Sequence, residues 1–313
     1  MKCLVYVETH EGKAQGGSLE LLTAAAGLGE VKAVVLGSRE AAEQTAAYGV
    51  DVLLAGEACC PDAATALLEH IIGEEKPQVV LMNATLAAKD LAPRLAHRLG
   101  GGCVTDAVAV EADEAHGVVF TRPAYGGTVL ERLALTSAAP AFATVRSGSF
   151  AKPEQTGNGA VTEVDVAVAE DAIRARLVET VTEITEMVNL EGADIVVCGG
   201  RGMGDAQGFK LVEELADVLG GVVGATRPAI EEGWISRAHQ IGQSGKMVAP
   251  KLYIACGVFG AMQHISGAMA SKYIVAINKD EAASIFDVAD VGIVGDVHEI
   301  LPLMIEEIRK RKA

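Results

Sequence analysis

Three glycine-rich stretches in the last third of the chain carry more hydrogen-bonding groups than a plain connector needs. The first is Gly199-Gly200-Arg201-Gly202-Met203-Gly204. The second, His239-Gln240-Ile241-Gly242-Gln243-Ser244-Gly245-Lys246, sets two carboxamides, a hydroxyl and an ammonium around two glycines. The third runs from Gly257 through Val258, Phe259, Gly260, Ala261, Met262, Gln263 and His264 to Gly267, with its histidine where a helix would start. Two more apolar runs end in Asn278-Lys279-Asp280 and Gly295-Asp296. Glycines between a strand and a helix let the backbone approach a phosphate, and the helix start supplies N–H donors.

The first loop is not a G-x-G-x-x-G. Its spacing fails after Gly204, and the next strand ends in Thr226-Arg227 rather than in an acid. The missing acid argues against an ordinary NAD site, while an arginine at that place imitates an NADP preference. Taken alone, the loop is weak evidence, with a tight strand-to-helix turn as the less favoured reading. Read on its own residues, this loop leaves open a stand-alone NADP-dependent oxidoreductase on a related dinucleotide fold and a scaffold with a vestigial pocket.

The elements that must position these loops alternate in type. CLVYVE (3–8), VKAVVLG (31–37), DVLLAG (51–56) and PQVVLMNA (77–84) read as buried parallel strands. Ser18–Leu28, Ser38–Tyr48, Asp62–Ile72 and Lys89–Leu99 have helical spacing. Beyond residue 100 shorter strands with glycine-rich turns are expected to finish the same sheet, and Glu8–Gly17 reads as a solvated loop. Lys152–Gly159 is rich in turn formers; VTEVDVAV (161–168) alternates as a strand; an acidic stretch, Glu170–Asn189, follows. A border near residue 188 gives domains 1–188 and 189–313. In the second, strands at 193–200, 221–226, 251–257, 273–278 and 291–296 and a helix over Gln207–Leu219 are predicted. Helices are expected after each of the last three strands, ending with Val297–Lys310. The fold class is α/β: an N-terminal parallel-sheet domain followed by a doubly wound, Rossmann-like domain, whose ligand edge is the carboxyl end of the strands.

Composition narrows the function. A formal net charge of −16 disfavours nucleic acid as a partner, since phosphate contacts need a basic face. The six cysteines form no CxxC pair and no ligand-like spacing with the seven histidines, so no metal is expected. Cys59-Cys60 as a redox pair is the less favoured reading. The N-terminus, MKCLVYVETHEG, shows no leader, and no apolar run reaches membrane length, so a cytoplasmic protein without membrane insertion is expected.

Taken together, GGRGMGDAQGFKLVEELADVLGG, GATRPAIEEGW and the run from QIGQSGK to VGIVGD resemble electron-transfer flavoprotein alpha subunits. The resemblance covers essentially all of residues 193–300 and is highly specific; the N-terminal half agrees in length and texture. It implies FAD as cofactor, with Arg201, Gly202, Thr226 and Gln240 at contacting positions. The same holds for Ile241, Gly242, Gln243 and Ser244, for Phe259, Gly260, Ala261, Met262, Gln263 and His264, and for Asn278, Asp296 and Val297. Arg227 matches the arginine that lies against the isoalloxazine ring, Ser244 the hydroxyl residue at flavin N5, and His264 the residue near N1 and O2. There a cationic or N–H-donating His264 and the Arg227 guanidinium would stabilise negative charge. Phe259 departs from the family, where a small hydroxyl residue is common. The resemblance further implies an obligate beta subunit carrying AMP or a second FAD, and an acyl-CoA dehydrogenase-type flavoenzyme as redox partner. Thr226-Arg227-Pro228 and Gly233-Trp234 look like the anaerobic, bifurcating branch. No nucleophile or acid–base constellation is present, which fits an electron carrier rather than a substrate-converting enzyme.

Overall fold

Strand β1, Lys2–Val7, is buried on both of its faces, as a central strand of a helix-covered sheet must be. In this computed structural model, which describes residues 1–136, 139–157, 159–175, 178 and 188–312, the chain divides into two compact units, Met1–Val181 and Thr182–Ala313. The acidic stretch expected to cross the border lies largely outside the described residues.

In the first unit β2 (Thr9–His10) and β3 (Lys13–Ala14) form a two-residue ribbon, followed by α1 (Gly16–Ala26), β4 (Glu30–Leu36), α2 (Arg39–Ala46), β5 (Asp51–Ala55) and α3 (Pro61–Glu75). Then come β6 (Val79–Asn83), α4 (Leu86–Arg98), β7 (Gly102–Ala107), β8 (Ala109–Asp113), β9 (Gly117–Ala124), β10 (Val129–Ala134), β11 (Ala141–Val145) and β12 (Val161–Val164). Seven strands in the order β12-β5-β4-β1-β6-β11-β7 make one parallel sheet. One face packs Val5, Val7 and Val35 under α1 and α2; the other packs Leu4, Val34 and Val80 under α3 and α4. Of the strands after residue 100, β7 and β11 finish this sheet, but β8–β10 form a separate antiparallel one. The alternating segment 161–168 is a strand only to Val164, where its pairing with β5 ends at Ala55.

The solvated-loop reading of Glu8–Gly17 does not hold at its first residue. Glu8 is 7% exposed, accepts the Thr85 hydroxyl at 2.6 Å, and its N–H donates to Ser18 Oγ. Burial pushes its carboxyl above the ordinary range, opposed in part by the Thr85 hydrogen bond. A raised folded-state pKa means that the folded protein holds this proton more tightly than the unfolded chain does. The stability from Glu8 is therefore present at low pH and lost as pH rises above the ordinary carboxyl range. Glu8→Gln keeps the acceptor and removes the charge. It should raise the midpoint of urea denaturation at pH 7, with the gain vanishing near pH 4; a gain independent of pH would contradict this account.

The second unit runs β13 (Ile195–Gly199), α5 (Ala206–Leu219), β14 (Val222–Ala225), α6 (Arg227–Glu231), β15 (Leu252–Cys256), α7 (Met262–Ile265), β16 (Ile274–Asn278), β17 (Val291–Val294) and α8 (Val297–Lys312). Its five strands are all parallel, in the order β14-β13-β15-β16-β17. The direction of winding reverses between β13 and β15, which places the ligand crevice of such a sheet beyond their carboxyl ends. Helices α5 and α8 cover one face through Phe209, Val212, Leu301 and Ile305. The other face is covered by irregular segments that bring in Ile241, Val248, Ala268 and Ile285.

The helices expected after β15 and β16 are reduced to the single turn of α7 and to a 3-10 turn over Ser284–Asp287. After β16, side chains compete with the helix: Asn278 Oδ1 accepts from the Asp280 N–H and Asp280 Oδ1 from that of Ala282. Among the described residues no helix is long and apolar enough to cross a membrane, and no group of three metal-ligating side chains occurs.

Candidate functional site

Two strand ends at the reversal point are laced together by main chain. Gly200 N–H donates to Cys256 O at 2.9 Å, and Gly202 N–H to Gly257 O at 2.9 Å. The approach is close enough that a Cβ on Gly202 would lie 2.6 Å from the Gly257 oxygen, and Gly257 itself has φ +60°. Gly202 is thus required by contact, and Gly257 by contact as well as by conformation. The helix behind the first loop is well started, since Asp205 accepts from Gly208 N–H at 2.7 Å.

The neighbouring segments join the same edge. Thr226 N–H donates to Gly199 O, Ile241 N–H to Ala225 O, and Gln243 N–H to Gln263 O at 2.7 Å. Gln240 Nε2 donates to Ser244 Oγ at 2.9 Å, which folds the loop on itself. Asn278 donates through Nδ2 to Val258 O at 2.8 Å, tying the end of β16 to the turn after β15. Asp296 accepts from His298 N–H at 2.8 Å as it opens α8.

The sequence-predicted residues fall into two groups. Arg201, Gly202, Arg227, Gln243, Ser244, Phe259, Ala261, Met262, Gln263 and Asp296 are exposed. Thr226, Gln240, Ile241, Gly242, Gly260, His264 and Asn278 are buried and hold the exposed set in place. Val297 buries its side chain with Leu301 and Ile305, so only its main chain is left to meet a ligand. The Arg227 guanidinium pairs with Glu231 at 2.7 Å, with both side chains more than half exposed; such a pair is weak and easily exchanged for another anion. Arg201 has no ion pair among the described residues.

Two features bear on whether a nucleotide cofactor fits. Thr226 is 6% exposed, and its hydroxyl is the one buried side-chain polar atom without a hydrogen-bond partner among the described residues. A buried hydroxyl left unpaired costs about 1–3 kcal/mol, so a ligand that pairs with it is favoured. Backbone N–H groups, exposed arginines and a carboxamide–hydroxyl pair along one strand edge complete a donor set suited to a phosphate-bearing, hydrogen-bonding cofactor.

His264 is 7% exposed. Its Nδ1 lies 3.1 Å from Ile241 O, and its Nε2 2.8 Å from the Tyr253 hydroxyl and 3.8 Å from Cys198 Sγ. Burial pulls its pKa down to about 4, with the Ile241 hydrogen bond opposing. Of the two states expected for it, burial therefore favours the neutral ring over the cationic one. Tyr253 and Cys198 were not singled out from sequence. A lone tyrosine inside a buried strand was the available signal, because its hydroxyl has to find a partner.

Comparison with known proteins follows this layout. The electron transfer flavoprotein domain family matches residues 3–171, and the electron transfer flavoprotein FAD-binding domain family matches residues 189–269. The electron transfer flavoprotein subunit alpha of Thermoanaerobacterium thermosaccharolyticum is 40% identical, with 98% of each chain covered. Protein FixB of Clostridium saccharobutylicum is also 40% identical, over 98% of this chain and 96% of the relative. The acryloyl-CoA reductase electron transfer subunit beta of Anaerotignum propionicum is 35% identical, over 98% and 95% respectively.

Proposed function

The chain belongs to the electron transfer flavoprotein family as an alpha-type subunit, and from that premise we propose that the crevice beyond β13 and β15 holds FAD through the loops described above. The reading rests on one observation above the others, the partnerless hydroxyl of Thr226 beside the crossing of two glycine loops. Bound FAD supplies the capacity to take up and release electrons one at a time. The chain binds it, orients it and sets the charge around it.

Each residue has a stated part in that arrangement. The Gly200 and Gly202 N–H groups are spent on Cys256 O and Gly257 O, so phosphate oxygens are met by the Arg201 N–H and by the N–H groups of the turn after β15. Ser244, already in contact with Gln240, presents a hydroxyl that can donate or accept. Arg227 exchanges its exposed partner Glu231 for the electron-rich edge of the ring. His264 contributes as a neutral group. Phe259, 57% exposed, brings no hydroxyl, so main-chain donors serve phosphate there. The NADP alternative rested on Arg227 alone, and the family matched by residues 189–269 is an FAD-binding one.

The working unit in this reading is a heterodimer with a beta subunit that carries AMP or a second FAD. It would exchange electrons with an acyl-CoA dehydrogenase-type flavoenzyme and a second redox partner in the cytoplasm. One relative's name supports the general direction, since it describes an electron-transfer subunit serving a reductase of a CoA thioester. Two FADs per heterodimer would mark the bifurcating type, and one FAD with AMP the ordinary carrier.

Thr226→Val tests the site by two opposed readouts. Removing an unpaired buried hydroxyl should leave the apoprotein as stable as before or more so. FAD should bind roughly five- to tenfold more weakly, the equivalent of one hydrogen bond of about 1 kcal/mol. Unchanged FAD affinity would remove Thr226 from the site.

A further inference from the structure

The buried cluster behind His264 has a definite proton order. A carbonyl only accepts, so the 3.1 Å contact to Ile241 O requires a hydrogen on Nδ1. A neutral ring then carries a bare Nε2, and the group 2.8 Å from it, the Tyr253 hydroxyl, must donate. The Cys198 sulfur lies 3.8 Å from the same nitrogen and also interacts with the Tyr253 hydroxyl. The titratable groups facing the ring are Tyr253 and Cys198, with Cys256 beyond Tyr253; burial pushes Cys198 up to about 12 and likewise raises Tyr253 and Cys256. Every member of the cluster is uncharged through the physiological range.

We propose that Tyr253 is a positioning residue, whose hydroxyl fixes His264 as the neutral Nδ1–H tautomer and so locks the Ile241–Ser244 loop against α7. The chain of contacts is continuous. Tyr253 O–H holds Nε2, Nδ1–H holds the Ile241 carbonyl, and Gln243 N–H returns to Gln263 O on α7. The loop so held ends at Ser244, the hydroxyl assigned to the flavin, so the functional consequence rests on the FAD reading above. Tyr253 itself is fully buried and sits in β15, a rigid support for a tautomer lock. A His264 held in this way does not titrate between pH 5 and pH 9. The flavin midpoint potential then carries no pH step from this imidazole.

The test uses the co-purified heterodimer with His264 followed by nitrogen-15 NMR, with and without bound FAD. Wild type should show the Nδ1–H tautomer with a hydrogen-bonded Nε2, unchanged from pH 5 to pH 9. Tyr253→Phe should move the Nε2 resonance to the position of an unbonded ring nitrogen, and in the loaded protein shift the flavin midpoint potential. Cys198→Ala should leave the tautomer in place, and it serves as the control for a general loss of packing. An Nε2–H tautomer, a titration in that window, or an unchanged Nε2 resonance in Tyr253→Phe would overturn the proposal. The NMR result is read whether or not FAD binds, so failure of the FAD reading would show separately as a heterodimer whose alpha subunit binds no flavin.

Discussion

Gly202→Val is expected to abolish FAD retention while leaving the N-terminal unit folded. A Cβ at this position would meet the Gly257 oxygen at 2.6 Å and its Cα at 2.8 Å, all of it backbone that cannot rotate aside. The two loops must separate, and their mutual hydrogen bonds, Gly202 N–H to Gly257 O among them, are lost with the approach. Overpacking of this kind costs about 1–3 kcal/mol, and here the cost falls on the geometry of the site. Moving the two loops apart displaces the remaining donors that they aim at the cofactor, which should weaken FAD by at least about a hundredfold, near 2.7 kcal/mol. Fluorescence titration of the apoprotein with FAD measures it. Retention of full affinity would show that the cofactor does not use this crossing.

Phe209→Ala should be the most destabilising of the single substitutions considered. Phe209 is 1% exposed and belongs to the same buried cluster as Val197 and Leu215, the α5–α8 core. Its ring lies directly beneath Gly199, where any side chain would collide with it, and its centroid is 6.3 Å from that of Trp234. Emptying such a site costs about 3–5 kcal/mol. Trp234 is the single tryptophan of the chain, so its fluorescence reports on the unit concerned. Urea denaturation followed by that signal should show the loss, with weaker FAD binding beside it. A change below about 1 kcal/mol would mean that the loop relaxes into the space.

Much of the fold was legible because parallel strands buried on both faces are written as unbroken apolar runs. YIVAIN and KLYIACG yield β16 and β15 within a residue or two for that reason. The helix of residues 207–219 was equally plain, with Asp205 as its cap and Gly220 in the left-handed region just beyond its end. What failed depended on competition or on distant partners. The helix expected after β16 gave way to side-chain turns at Asn278 and Asp280, whose strength against a helix is not visible in apolar spacing. Strands β8–β10 carry no local sign of which sheet they join. Glu8 looks solvated until β1, α1 and the start of α4 are brought together over it.

The site shows the same division. Its candidate loops could be located from their glycines and polar groups, because those residues mark local turns at strand ends. The protonation state of His264 could not be read in this way, because it depends on burial and on the Ile241 carbonyl, which only the fold brings to it. The orphan hydroxyl of Thr226 is likewise a property of packing, since most threonines at a strand end find a neighbour or water.

The most direct test of the central claim is the absorbance spectrum of the chain co-purified with its beta subunit, with the released nucleotides counted. The account predicts a yellow protein that releases FAD, and in which Gly202→Val in this chain removes one FAD per heterodimer. A colourless wild-type heterodimer that stays colourless when FAD is supplied, or one that instead binds NADP tightly, would contradict it.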